Sequence, residues 1–121
     1  MAVGDVDDGR IQYFLAAPQV SEDVKKALRE VIQRKAAIGS VVARRQEMER
    51  QIAVIGQEQE RIRGNMAQLP KDADLFRRYV TKFTEQEDAI DGLRKQVTAT
   101  VEEEQKLRKG LDDFLLGLEL T

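Results

Sequence analysis

The sequence predicts an all-α protein: a long antiparallel two-helix coiled-coil hairpin with a short extended N-terminal arm. Three observations carry this. Apolar residues recur at alternating steps of three and four from Val24 to Leu118, the spacing of one face of a helix. A single proline, Pro70, divides that rhythm into halves. Charged residues make up 35 % of the 121 residues, aromatics only 5 %, and there are two prolines, a balance that suits long solvated helices better than a sandwich or barrel.

Residues 1–20 form the arm, expected to be partly disordered. Its start is acidic and carries glycines (Gly4, Asp5, Asp7, Asp8, Gly9), and Ile11, Tyr13 and Leu15 then alternate loosely with polar or small neighbours. That alternation suits a short strand or extended segment. Pro18 closes it by pushing the preceding residue away from helical torsions.

The hairpin occupies residues 21–121. Helix one is predicted over 22–69. Ser21 can cap its first N–H groups, and Glu22 and Asp23 complement the helix dipole. Seam positions fall at Val24, Leu28, Val31, Lys35 and Ile38, then at Val41, Arg45, Met48, Ile52, Ile55, Gln59, Ile62, Met66 and Leu69. The phase slip after Ile38 coincides with Gly39-Ser40, a weak helix-forming pair, and predicts a bend rather than a break. Pro70 ends the helix.

A turn over 70–72 follows, with Asp72 as the expected N-cap of helix two and Asp74 in its first turn. Helix two, over 73–118, carries thirteen seats from Phe76 through Tyr79, Phe83, Gln86, Ile90, Leu93, Val97, Thr100, Glu104, Leu107, Leu111 and Phe114 to Leu118. Ten of them are apolar, a sustained heptad repeat that marks a coiled-coil seam.

Each helix would run roughly 70 Å at about 1.5 Å per residue. A three-residue linker cannot reach the far end of such a rod, so the helices fold back on each other. Facing residues then have numbers adding to about 145, which sets Ile62 against Phe83 and Ile55 against Ile90. In this register Gln59 faces Gln86, where two amides can satisfy each other. Arg45 faces Thr100, with Glu104 one turn away. Polar layers in an apolar seam lower stability but fix alignment, and both are read as alignment devices.

The open end, away from the turn, is richer in apolar residues than a two-helix seam needs. Leu111, Phe114, Leu115 and Leu118 gather there opposite Val31 and Ile32. The arm, a second copy or the remainder of a larger chain is expected to cover them. Self-association would give a homodimer arranged as a four-helix bundle. A second candidate contact surface lies near the turn, at Arg61, Arg63, Arg77 and Arg78.

No cysteine and no histidine occur, which removes disulfides, thiolate or imidazole metal sites and the usual general base. The expectation is therefore a non-enzymatic chain without catalytic residues, metal or cofactor. Asp5-Val6-Asp7-Asp8-Gly9 looks superficially like a calcium loop, but position twelve is Ala16 and not a bidentate glutamate. Glu102-Glu103-Glu104 and Asp112-Asp113 cannot converge from adjacent helical positions and read as a solvated face. Phe76, Tyr79 and Phe83 read as seam packing and not as a base-stacking platform.

Net charge is −2 overall. Helix one is net +3 (ten basic, seven acidic) and helix two −2 (eight basic, ten acidic), which favours attraction between them. Interleaved glutamates break any cationic stripe, so no nucleic-acid partner is expected. No apolar run approaches a membrane span and no signal-peptide pattern opens the chain. The cytoplasm is the expected compartment.

The stretch Glu58-Gln59-Glu60-Arg61-Ile62-Arg63-Gly64-Asn65-Met66, with Leu69, Arg78-Tyr79-Val80 and Gln86-Glu87-Asp88-Ala89-Ile90, resembles a helical-hairpin region near the C-terminus of large uncharacterised bacterial proteins. Tyr13-Phe14-Leu15, Pro18 and Ser21 to Leu28 look like its lead-in, so the likeness covers most of residues 11 to 118. It implies a hairpin fold and the status of a fragment, with no activity attached. Prefoldin subunits share the length and the hairpin idea, but their helices are joined by β-hairpins, for which a three-residue turn leaves no room.

The functional expectation is a structural or protein-interaction module, either a fragment of a larger protein or a self-associating coiled coil. The alternative is a stand-alone chaperone-like or adaptor coiled coil gripping a partner helix between its arms.

Overall fold

The structure, a computed structural model, describes residues 15–16 and 21–119. Two long helices pack against each other as a helical hairpin: α1, Glu22–Ala67, and α2, Asp74–Glu119. The calcium-like start at residues 5–9 and most of the predicted extended arm lie outside the described residues. Leu15 and Ala16 are described, and they are helical and not extended.

Ser21 caps α1 as its position predicts. Its Oγ accepts from the Val24 N–H at 3.2 Å and its carbonyl accepts from the Lys25 N–H at 3.0 Å. The helix runs through Gly39 and Ser40 without interruption. It ends at Ala67, two residues before the predicted stop. The Gln68 and Leu69 N–H groups turn back to the carbonyls of Asn65 and Met66, each at 3.1 Å. Such three-residue bonds tighten a last turn where proline disfavours helical torsions in the residue before it.

The connection is therefore residues 68–73 and not the predicted 70–72. Ala73 N–H donates to the Pro70 carbonyl at 3.1 Å, and the Ala73 carbonyl accepts the first helical bond of α2 from Arg77 N–H at 3.2 Å. Ala73 holds the cap position predicted for Asp72. The Asp72 backbone carbonyl instead accepts from Arg77 Nη2 at 2.8 Å. Asp74 does lie in the first turn.

The described residues group into two compact units, one drawn from those up to 42 and from 102 onward, the other of residues 43–101. Within 43–101, Gln59, Ile62, Ile90 and Thr100 are buried, and the other predicted seats are half-buried. Cross-helix contacts pin the register. Asn65 Nδ2 donates to the Tyr79 hydroxyl at 3.1 Å, and the Arg63 guanidinium lies 5.0 Å from the Phe83 ring centroid. The residue numbers of these pairs add to 144 and 146, one on either side of the predicted value.

In the other unit α1 buries Leu28, Val31, Ile38 and Val41. Leu15, Ile32, Leu111, Phe114 and Leu115 pack on the Leu28–Val31 cluster. Arg34 lies 5.2 Å from the Phe114 ring centroid, and a side chain at Gly110 would meet its Nη1 at 3.1 Å, so a glycine there lets the guanidinium approach. One predicted seat differs: Val24, in the first turn of α1, is 48 % exposed. Its facing position in the register, Thr121, lies outside the described residues.

Candidate interaction surfaces

At the level of Gln59 the hydrogen bond differs from the expected pairing of two amides. Gln59, 5 % exposed, donates through Nε2 to Glu87 Oε1 at 2.8 Å and not to Gln86. A carboxylate accepts more strongly than a neutral amide, and Glu87 stands next to Gln86 on α2. Gln86 Oε1 is buried and finds no hydrogen-bond partner among the described residues. Thr100 is buried, and its hydroxyl donates to the Val97 carbonyl at 2.7 Å. Arg45 pairs with Glu49 at 3.5 Å, and Glu104 accepts from Arg108 Nε at 2.7 Å.

The apolar open end has an interior and a rim. Val31, predicted as part of the contact surface, is 0 % exposed and belongs to the core; the rhythm also places it in the seam. Ile32, Leu111, Phe114, Leu115 and Leu118 are half-buried, and Leu15 covers part of the cluster. Asp23, Lys26, Ala27, Glu30, Phe114 and Leu118 line a groove of about 290 Å³ that Leu15 does not enter. Leu116, which sequence reasoning passed over because it falls outside the rhythm, is 56 % exposed. The run Phe114-Leu115-Leu116 was its signal, since three consecutive apolar residues cannot all face one seam.

The four arginines near the connection are exposed but are not equivalent. Arg61 Nε lies 3.2 Å from both carboxylate oxygens of Glu58, which also meets Lys82 at 3.8 Å. The Arg61 hydrogen bond, aided by the nearby cations, holds the Glu58 carboxyl below the usual glutamate range, and the same bond raises Arg61. Arg63 pairs with Glu60. Arg77 reaches the Asp72 carbonyl and, at 3.9 Å, Asp74. Arg61 and Arg63 project about 200° apart around α1, so these two do not share a face. Beside Arg63, the side chains of Met66, Val80, Phe83 and Thr84 form a second groove of about 220 Å³, which sequence reasoning missed; Val80 stands next to the seam position Tyr79.

Among the described residues no three acidic, histidine or cysteine side chains are placed to hold a metal ion. No described helix is long and apolar enough to cross a membrane. Glu102, Glu103, Asp112 and Asp113 are exposed, as a solvated face requires. No protein-family model matches this chain, and no curated protein or solved structure matches it either.

Proposed function

We propose that the chain is a non-enzymatic structural and protein-interaction module that makes its contacts through the open end of the hairpin. On this reading it works either as the hairpin region of a larger protein or by self-association. The carrying observation is the apolar end itself. Phe114 and Leu118 stay half-buried beside a fully buried Val31, while Leu116 and Val24 stand about half in water. Apolar side chains from both helices collected at one place and left partly uncovered fit a surface meant to be covered.

The test uses the whole chain and an environment-sensitive apolar dye such as anilinonaphthalene sulfonate. At dilution the wild type is expected to bind the dye, and Phe114→Ser with Leu118→Ser to lose that signal while keeping its far-ultraviolet helicity. A wild type that binds no dye at dilution and keeps one mass on concentration would overturn the proposal. The alternative, an adaptor that grips a partner helix, draws its support from the groove of Arg63, Met66, Val80, Phe83 and Thr84. It predicts that Val80→Ser, and not the Phe114 variant, removes the dye signal.

A further inference from the structure

The groove at the open end has a charge order that selects an occupant. Asp23, Lys26, Ala27, Glu30 and Arg34 recur at steps of three, one, three and four along α1. They share one flank, with Phe114 and Leu118 across the groove from the first four. Read along α1 the flank is negative, positive, neutral, negative, positive. Reversed, it becomes positive, negative, neutral, positive, negative, the sign-complement of itself. We infer that the occupant of this groove is the same flank of a second copy of the chain, running antiparallel about a two-fold axis near residues 28 and 29.

In that arrangement Asp23 opposes Arg34 of the second copy, and Lys26 opposes Glu30 of the second copy; both pairs then repeat through the symmetry. A parallel in-register pairing would set each charge against itself. The surface is prepared for such exchange. Asp23 and Lys26 are exposed and make no ion pair with another described residue. Arg34 is held over Phe114 at 5.2 Å and by Glu30 at 3.1 Å, so its guanidinium is already positioned at the flank. Ala27, small and half-buried, lies near the axis, where the two backbones must approach to about 8–10 Å. Covering Phe114 and Leu118 supplies the affinity, and the charges supply the direction. The inference rests on the proposal that this end is a contact surface, and it adds the partner and its orientation.

Two reversals test it: Lys26→Glu and Glu30→Lys, in separate full-length chains. Sedimentation or light scattering is expected to show a wild-type dimer whose dissociation constant rises roughly 10- to 100-fold in either variant. An equimolar mixture of the two variants is expected to recover the dimer. In the mixed pair the carboxylate introduced at position 26 of one copy faces the ammonium introduced at position 30 of the other, and the native Glu30 of the first faces the native Lys26 of the second. Circular dichroism checks that each variant keeps its helices. Should one unfold, Lys26→Gln and Glu30→Gln replace the pair and are expected to weaken the dimer singly. A wild type that stays monomeric at the highest attainable concentration overturns the inference, as does a dimer indifferent to the reversals or a mixture without recovery. If dye binding at Phe114 and Leu118 survives that result, only the identity of the partner has failed; if it is absent too, the proposed contact surface has failed.

Discussion

Replacing Gln86 with leucine is expected to stabilise the hairpin. The Gln86 side-chain oxygen is buried without a partner among the described residues. An unsatisfied buried acceptor costs about 1–3 kcal/mol, and a leucine of similar length removes that cost while adding apolar contact. Because Gln86 as a residue is only half-buried, the expected gain is at the lower end, about 1–2 kcal/mol. For a chain of this size that corresponds to a rise in Tm of roughly 4–8 °C. Gln59→Leu is the matched control. It removes the 2.8 Å bond to Glu87, but Glu87 is exposed and can rehydrate, so loss and gain nearly cancel, to within about 1 kcal/mol. Thermal and urea unfolding followed by circular dichroism measure both, and an m-value equal to that of wild type confirms that the comparison is sound. A Gln86→Leu chain that loses more than about 1 kcal/mol would refute the reasoning, because it would mean the amide contributes through a bond the geometry does not contain.

Ile62 is 0 % exposed, so Ile62→Ala is expected to cost about 2–5 kcal/mol and Ile62→Val about 0.5–1.5, read from urea midpoints; equal effects would contradict close packing at that level. Gly56→Ala and Gly92→Ala meet no atom within 4 Å of the added carbon and are each expected to add about 0.5–1 kcal/mol. Gly110→Ala, which meets Arg34 at 3.1 Å, is expected to gain less, and thermal melts compare the three. Glu58 has its pKa lowered chiefly by Arg61. Its contribution to stability is therefore full above the ordinary glutamate pKa and is lost as pH falls through the depressed folded value. A carboxyl-carbon NMR titration is expected to place Glu58 below the ordinary glutamate value and to move it upward in Arg61→Ala; no movement on that substitution would rule out the pairing.

The seam was legible because its information is one-dimensional: steps of three and four mark the buried stripe, and Leu28, Val31, Ile62 and Ile90 follow it. Direction and register were legible from Pro70 and the shortness of the linker. The end of α1 was less so. Proline constrains Leu69, but Gln68 and Leu69 both leave the helix for three-residue bonds, a choice made by the local hydrogen-bond geometry of the last turn. The rhythm placed Gln59 and Gln86 at one level but could not choose acceptors among the side chains at that level, where Glu87 prevailed. Val31 was assigned to two roles, seam and surface, and only packing against Leu111 and Phe114 decides between them. The helical state of Leu15 and Ala16 went against the loose alternation of Ile11, Tyr13 and Leu15, because three positions are too few to separate a strand from a helix that docks on a neighbour.

Most of the ion pairs described above, Arg45 with Glu49, Arg63 with Glu60, Arg34 with Glu30 and Arg108 with Glu104 among them, join neighbours on one helix. For these four pairs electrolyte acts within a single helix, whereas Lys82 and Glu58 meet across the two. Added salt is expected to screen the pairs along each helix and shave a little helicity from both, a loss that circular dichroism across a salt series would register.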